Sequence, residues 1–330
     1  MMIVAHHYVV NGSGLSTILE QNPYSPTTIF YYLFGAWGKT GINCFVLITG
    51  FFMCKSDITL RKFLKLVLVV IFYNVIIYFA FFISGYETFS LKDACLALLP
   101  IRDCNTGFTS AFILFYLSIP FLNVLLKGLS RRSHLLLLGL LLFVYSVMPM
   151  VLANVSYNYL SWFSVLYLLA SYIRLYGLPH NESAWFWGWF SLLALLASIG
   201  SIVLPLAFHR GCTYFFVSDS NHIMALLTAV SSFMFFKNLK IGHSKIINNI
   251  AATTFGVLLI HANGSSMRNF LWNDLFDTPG HYGTPLYAVG VVLLLFATCS
   301  LIDFVRIKTI ESHMLNIIES LCMSLYNKIK

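Results

Sequence analysis

Leu66-Val-Leu-Val-Val-Ile-Phe-Tyr-Asn-Val-Ile-Ile-Tyr-Phe-Ala-Phe-Phe-Ile83 contains no ionisable group other than tyrosine, and it forms most of an apolar span over 62–84. A helix needs about 20 mostly apolar residues to cross the hydrocarbon core, where each backbone N–H and C=O must find its partner inside the segment. Outward from this span, comparable runs lie at 31–53, 109–127, 134–153, 160–177, 186–208, 220–237 and 284–304, and a shorter one at 246–261 is diluted by Ala, Thr and Gly. Met1 to Val10 is also apolar, but a helix of that length rises only about 15 Å, half a bilayer. It reads as the outer half of a first span whose beginning lies ahead of it. Counting it, the sequence predicts an all-α fold: a polytopic membrane helix bundle of about ten transmembrane helices, the first N-terminally truncated, over 1–306. The remaining 307–330 reads as a cytoplasmic amphipathic tail, with Met314, Ile317, Ile318, Leu321 and Leu325 at helical spacing.

Composition agrees. Hydrophobic residues make up 58% of the chain and charged residues 10%, too few to cover the surface of a soluble domain. The mean hydropathy of +0.80 also excludes a disordered chain, which needs low hydrophobicity and high charge. The formal charge of +8 shows no basic cluster interleaved with aromatics, so no nucleic-acid partner is expected. The seven cysteines show no CxxC or Cys/His ligand spacing, and no metal site is expected.

The basic residues orient the bundle. If the chain starts in the cytoplasm, alternate connections at 54–65, 127–134, 174–185, 237–246 and 305–330 hold all but Lys39, Lys92, Arg102, Arg210 and Arg268 of the 20 Lys and Arg. The positive-inside rule then places both termini in the cytoplasm of a multi-pass protein. The connections on the other side, 12–30, 84–108, 154–159, 208–220 and 263–283, carry most of the remaining polar chemistry, including Asp93, Asp103, Asp219 and Asp274. Ser90 to Leu99 is amphipathic enough to lie along that outer surface as a short interfacial helix.

Ionisable groups inside spans are costly, and each is a functional candidate. Arg174 and Asp303 stand close enough to a span end to reach the interface. His6, His7 and His261 differ, because histidine exchanges protons near neutral pH without a large shift. Neighbouring residues on a helix point about 100° apart, so one of His6 and His7 is expected to be chemical and the other structural or interfacial. The simpler reading of a lone intramembrane histidine, an interhelical hydrogen bond, stands beside the catalytic one. His261 falls near the depth of His7, with Arg268 just beyond, which would form one polar pocket open to the outside. In the second span, Lys39 enters the membrane, Asn43 needs a partner there, and Gly35, Gly38, Gly41 and Gly50 suit close helix packing. The sequence has no GxSxG elbow, P-loop or dinucleotide fingerprint.

Gly38-Lys-Thr-Gly-Ile-Asn-Cys-Phe-Val-Leu-Ile-Thr-Gly-Phe-Phe52 resembles the second-helix signature of the acyltransferase-3 family of integral membrane O-acyltransferases. Met2-Ile-Val-Ala-His-His-Tyr8 is similar to the end of that family's first helix, where a histidine follows an arginine that here would fall ahead of Met1. Phe163-Ser-Val-Leu-Tyr-Leu-Leu-Ala-Ser-Tyr-Ile-Arg-Leu-Tyr176 and Phe255-Gly-Val-Leu-Leu-Ile-His-Ala-Asn263, with Arg268 and Trp272, resemble later segments. The resemblance implies transfer of an acyl group, usually acetyl, from cytoplasmic acetyl-CoA to a hydroxyl of a surface glycan or lipid-linked glycan, at the cytoplasmic (inner or plasma) membrane. It implies His7 as general base or acyl relay, with His261 beside it as a second catalytic residue, and His6, Lys39, Asn43, Asn263 and Arg268 on the acceptor. Lys55, Arg61, Lys62 and Arg131 are the expected contacts for the CoA phosphates. Two other classes share the bundle: a sugar transporter or lipid-linked sugar flippase without covalent chemistry, and an inactive relative of the enzyme.

Overall fold

The computed structural model describes residues 1–102, 107–151, 157–209 and 213–329, so Asp103, Arg210 and Lys330 lie outside the described residues. Every regular element among these is helical. The chain opens with α1 (Met2–Asn11), α2 (Ser13–Gln21), α3 (Pro26–Gly35), α4 (Gly38–Met53) and α5 (Leu60–Ile83). Then come α6 (Leu91–Ala97), α7 (Phe108–Gly128), and α8 (Arg131–Leu142), which continues through a π-helical stretch, Phe143–Val147, into α9 (Met148–Val151). The second half holds α10 (Tyr159–Tyr176), α11 (Ala184–Ala207), α12 (Ile223–Asn238), α13 (Lys245–His261), α14 (Ser265–Asn269) with a π-helical continuation Phe270–Leu275, α15 (Pro285–Thr309) and α16 (Glu311–Ile329).

Local chemistry sets these boundaries. Ser25 caps α3 through Thr28, with Pro26 behind it, and Thr59, Ser130, Asn158, Ser183 and Ser244 accept the same backbone bond at the starts of α5, α8, α10, α11 and α13. Gly177 stops α10 at a φ of 73°, where a side chain would be strained.

Five described helices are long and apolar enough to cross a membrane: Leu60–Ile83, Phe108–Gly128, Arg131–Val151, Ala184–Ala207 and Pro285–Thr309. A sixth crossing results if Lys245–His261 and Ser265–Leu275, bent by 95°, act as one. Ten full crossings are therefore not what the described helices present. The expected span 31–53 breaks at Ala36 and Trp37 into α3 and α4, and the expected loop 12–30 is largely the helices α2 and α3. α4 and α12 have only 16 residues each, and α10 has 18 and is buried almost throughout. Helices enclosed by other helices need not match the lipid thickness, so length and apolarity of the described helices support five or six crossings and leave the count of ten unconfirmed.

Two packed clusters hold the bundle. Trp162, Phe163 and Tyr167 of α10 interlock with Val46 and Leu47 of α4 and Phe115 of α7. Tyr8 of α1 packs with Tyr31 of α3, Trp272, and Val291 and Leu295 of α15. Glycines permit the closest crossings: a Cβ on Gly38 would stand 2.4 Å from His6, and one on Gly50 would stand 2.9 Å from the Ala170 Cβ.

Asp303 does not reach the interface as expected. It is 1% exposed, accepts from Tyr73 Oη at 2.8 Å and from Arg306 Nε at 2.7 Å, and occupies the space beside Gly256. A carboxylate with an arginine one helical turn away is more cheaply paired in place than carried out to water. Arg174 is exposed as expected, its guanidinium 4.6 Å over the Phe51 ring. The C-terminal segment is the helix α16, tied to α5 by ion pairs from Arg61 to Glu319 and from Lys65 to Glu311.

Candidate active site

α1 packs against α2, α3, α4, α13 and α15, and Gly35 and Gly38 let α3 and α4 approach it closely. His7 points to α13, where its Nδ1 lies 3.0 Å from Nε2 of His261. The other ring nitrogen of His261, Nδ1, is 2.5 Å from the carbonyl oxygen of Val257 in the preceding turn.

That chain of contacts assigns the protons. A carbonyl oxygen can only accept, so His261 Nδ1 must carry the hydrogen. A neutral His261 then presents an unprotonated Nε2, which can only accept from His7 Nδ1–H. His7 is left with its lone pair on Nε2, in a residue that lines a cavity. His6 is held differently, its Nδ1 donating to the Gly35 carbonyl at 2.8 Å. The two neighbours were expected to diverge, but both line the same cavity, with ring centroids 5.8 Å apart.

The cavity has a volume of about 390 Å³ between α1, α4, α5, α7, α10 and α13. Of the residues expected at the site, His6, His7, Lys39, Asn263 and Arg268 line it. Lys39 Nζ donates to Tyr159 Oη at 3.2 Å and lies 3.8 Å from the Asp219 carboxylate. Arg268 is exposed, with its Nε donating to the Gly264 carbonyl at 3.1 Å. Asn263 Nδ2 donates to Asn74 Oδ1 at 3.1 Å. His261 lies behind His7, fully buried.

Asn43 is placed elsewhere. Its Oδ1 accepts the Trp162 indole N–H at 2.9 Å and its Nδ2 donates to the Ser220 carbonyl at 2.7 Å, so both ends of the amide are committed to holding α4, α10 and the chain before α12 together. The four expected CoA contacts do not converge either. Arg61 is engaged by Glu319 and Asn316, Arg131 lies 5.8 Å over the Tyr176 ring, and Lys55 is exposed at the end of α4. Lys62 lines a separate cavity, together with Lys65 and Arg306 and with Asp303 and Glu311.

Sequence reasoning missed Asn74, Arg102, Tyr159 and Ser110, which also line the histidine cavity. Asn74 had a signal, being a lone amide in the middle of an 18-residue uncharged run, the same logic that singled out Asn43. Arg102 had none. Partial desolvation by the cavity wall lowers its guanidinium from the ordinary value, with Asp93 opposing, but an arginine stays charged. Among the described residues, no group of three or more His, Cys, Asp or Glu could hold a metal ion.

The molecule is a bundle of apolar helices with a hydrogen-bonded histidine pair beside a cavity lined by amides and cations. The family model described as an acyltransferase domain matches residues 1–304, nearly the whole bundle. The chain belongs to this family, acyltransferase-3, and is a membrane acyltransferase by that membership. No curated protein and no solved structure matches it.

Proposed function

We propose that the protein moves an acyl group, acetyl in the simplest case, from a cytoplasmic acyl-CoA to a hydroxyl of a surface glycan or lipid-linked glycan at the cytoplasmic membrane. The observation that carries this reading is the Val257 carbonyl–His261–His7 chain, which leaves His7 Nε2 as a base in a cavity lined by Lys39, Asn263 and Arg268. Both termini lie in the cytoplasm in this reading, so the cavity opens to the acceptor side.

His7 Nε2 takes the proton of the acceptor hydroxyl as its oxygen attacks the thioester carbonyl carbon. The new C–O bond forms, the C–S bond breaks, and the CoA thiolate leaves and takes the proton that His7 Nε2 holds, which restores the base. His261 stabilises the imidazolium on His7 only by orientation and polarisation, since its own Nδ1–H is anchored on Val257. Lys39 is a donor of the kind that stabilises a developing oxyanion, and Asn263, whose two N–H groups bond Asn74 and the Leu259 carbonyl, offers its Oδ1 to an acceptor hydroxyl. The lining sets amides, a tyrosine and cations among Ile3, Ile42, Val70, Leu258 and Leu259, polar groups that the hydroxyls of a sugar can meet.

The test is the O-acyl content of the surface glycan, read by NMR in cells with the gene, without it, or carrying His7→Ala. Loss of a discrete O-acyl signal in both altered strains is expected. An intact O-acyl signal with the glycan missing from the surface would replace the transferase by a transporter. No change in either would identify an inactive relative.

A further inference from the structure

We propose that the rings of Phe45, Phe112 and Phe255 form a partition between the histidine cavity and the cavity that holds Lys62, and that they set the size of the acyl group that reaches His7. The second half of this statement rests on the function proposed above.

The two cavities are stacked along the same helices. The second has a volume of about 300 Å³ and is lined by Lys62, Lys65 and Arg306 at one end and by aromatic rings at the other. On α4, Ile42 lines the histidine cavity and Phe45 the second one. On α7 the corresponding pair is Thr109 and Phe112, and on α13 it is Leu258 and Phe255. Each pair is three residues apart, a rise of about 5 Å. On α5 the two cavities meet at consecutive residues, Val70 and Val69. On three helices a layer of side chains one helical turn thick thus separates the two spaces, and on α5 it thins to neighbouring residues.

Three rings make up the second cavity's face of that layer and touch one another. The Phe45 and Phe112 centroids are 5.1 Å apart, Phe112 and Phe255 5.8 Å, and Phe45 and Phe255 6.1 Å. Phe108, which lines the histidine cavity, stacks on Phe112 from above at 5.9 Å. An ordinary core cluster is packed on every side. Here the rings face the second cavity, and Ile42, Thr109 and Leu258, one turn further along the same helices, face the histidine cavity. The layer they form together has open space on two opposite sides, which is the arrangement of a partition. Both linings carry cations, Lys39, Arg102 and Arg268 around the histidine cavity and Lys62, Lys65 and Arg306 around the other. There Lys65 and Arg306 are paired with Glu311 and Asp303, and the exposed Lys62 is the cation outside that network, placed to meet a phosphate-bearing donor. A thioester held on the lysine side has this layer, the three rings with Ile42, Thr109 and Leu258 beyond them, between its acyl group and His7. Rotation of aromatic side chains opens such a layer without moving a helix, and the width of the opening selects the acyl chain.

Two readouts test this in the full chain in native membrane vesicles of both orientations. Thr109→Cys is exposed to a charged, membrane-impermeant thiol reagent, and modification at that residue is read by peptide mass spectrometry. Modification from the acceptor side alone is expected, with modification from the lysine side appearing when Phe255→Ala or Phe255→Leu is added. Modification of Thr109→Cys from both sides in the presence of all three rings would overturn the partition. So would unchanged sidedness in both Phe255 variants while each still unfolds cooperatively. The second readout is transfer from acetyl-CoA against butyryl-CoA: Phe255→Ala is expected to raise the relative butyryl rate about tenfold, the scale on which pockets discriminate added methylenes. An unchanged ratio with altered sidedness would overturn the size selection alone. Altered sidedness with no transfer from either thioester would leave the partition standing and overturn the proposed function.

Discussion

Two polar clusters lie inside this bundle, and they are built on opposite principles. Around Asp303 the charges are closed on themselves: Arg306 bonds Asp303 and Glu311, Lys65 bonds Glu311, and Tyr73 completes the Asp303 carboxylate. Around His7 the groups are neutral, linked in one direction from the Val257 carbonyl through His261, and the chain ends on a nitrogen with a lone pair to spare. A saturated ion-pair network locks α5, α15 and α16; an unsaturated chain facing a cavity is poised for a proton. Burial and polarity alone do not mark a site in a membrane protein. What marks it is hydrogen-bonding capacity left over after the fold has been satisfied.

The comparison can be broken at either cluster. The largest effect is expected at His7→Ala, where loss of a general base lowers transfer by roughly 10²–10⁴-fold with little change in thermal unfolding. A collapse of the fold with the activity would mean that His7 is structural, like Asp303. Next comes Asp303→Ala, which leaves the Arg306 guanidinium buried without its main partner and costs about 3–5 kcal/mol of stability. A large drop in the melting temperature in nanodiscs is the expected reading, and an unchanged melt would contradict the saturated-network account. Asn43→Ala is expected to cost about 1–3 kcal/mol, since it strands the Trp162 indole N–H. The acceptor KM should not move, because the amide faces α10 and not the cavity; a raised KM with an unchanged melt would return Asn43 to the substrate. Smallest is Arg268→Gln at the exposed rim, with a few-fold rise in acceptor KM, the scale of an exposed charge contact.

Much of this contrast was legible in the sequence, for a physical reason. Ionisable side chains are so unwelcome in hydrocarbon that His6, His7 and His261 stand out by rarity, and the shared depth of His7 and His261 pointed to the pair that the structure holds at 3.0 Å. What was not legible is saturation. Asn43 and Asn74 look alike in an apolar run, yet one is consumed by Trp162 and Ser220 while the other lines the cavity. Asp303 looked like a residue leaving the membrane because it stands at the end of a span, and only the fold shows it closing on Arg306. The bundle's helical class followed from composition, whereas the break at Ala36 and Trp37 and the 95° bend after His261 did not, since each depends on what the neighbouring helices leave room for.

The central claim, that His261 acts through His7 and not beside it, is tested most directly by single-turnover acyl transfer in nanodiscs with His7→Ala, His261→Ala and the double variant. The account predicts that the double variant is no slower than His7→Ala, because a residue that only orients the base has nothing to act on once the base is gone. Losses that multiply across the two substitutions would contradict it, giving His261 a chemical role of its own.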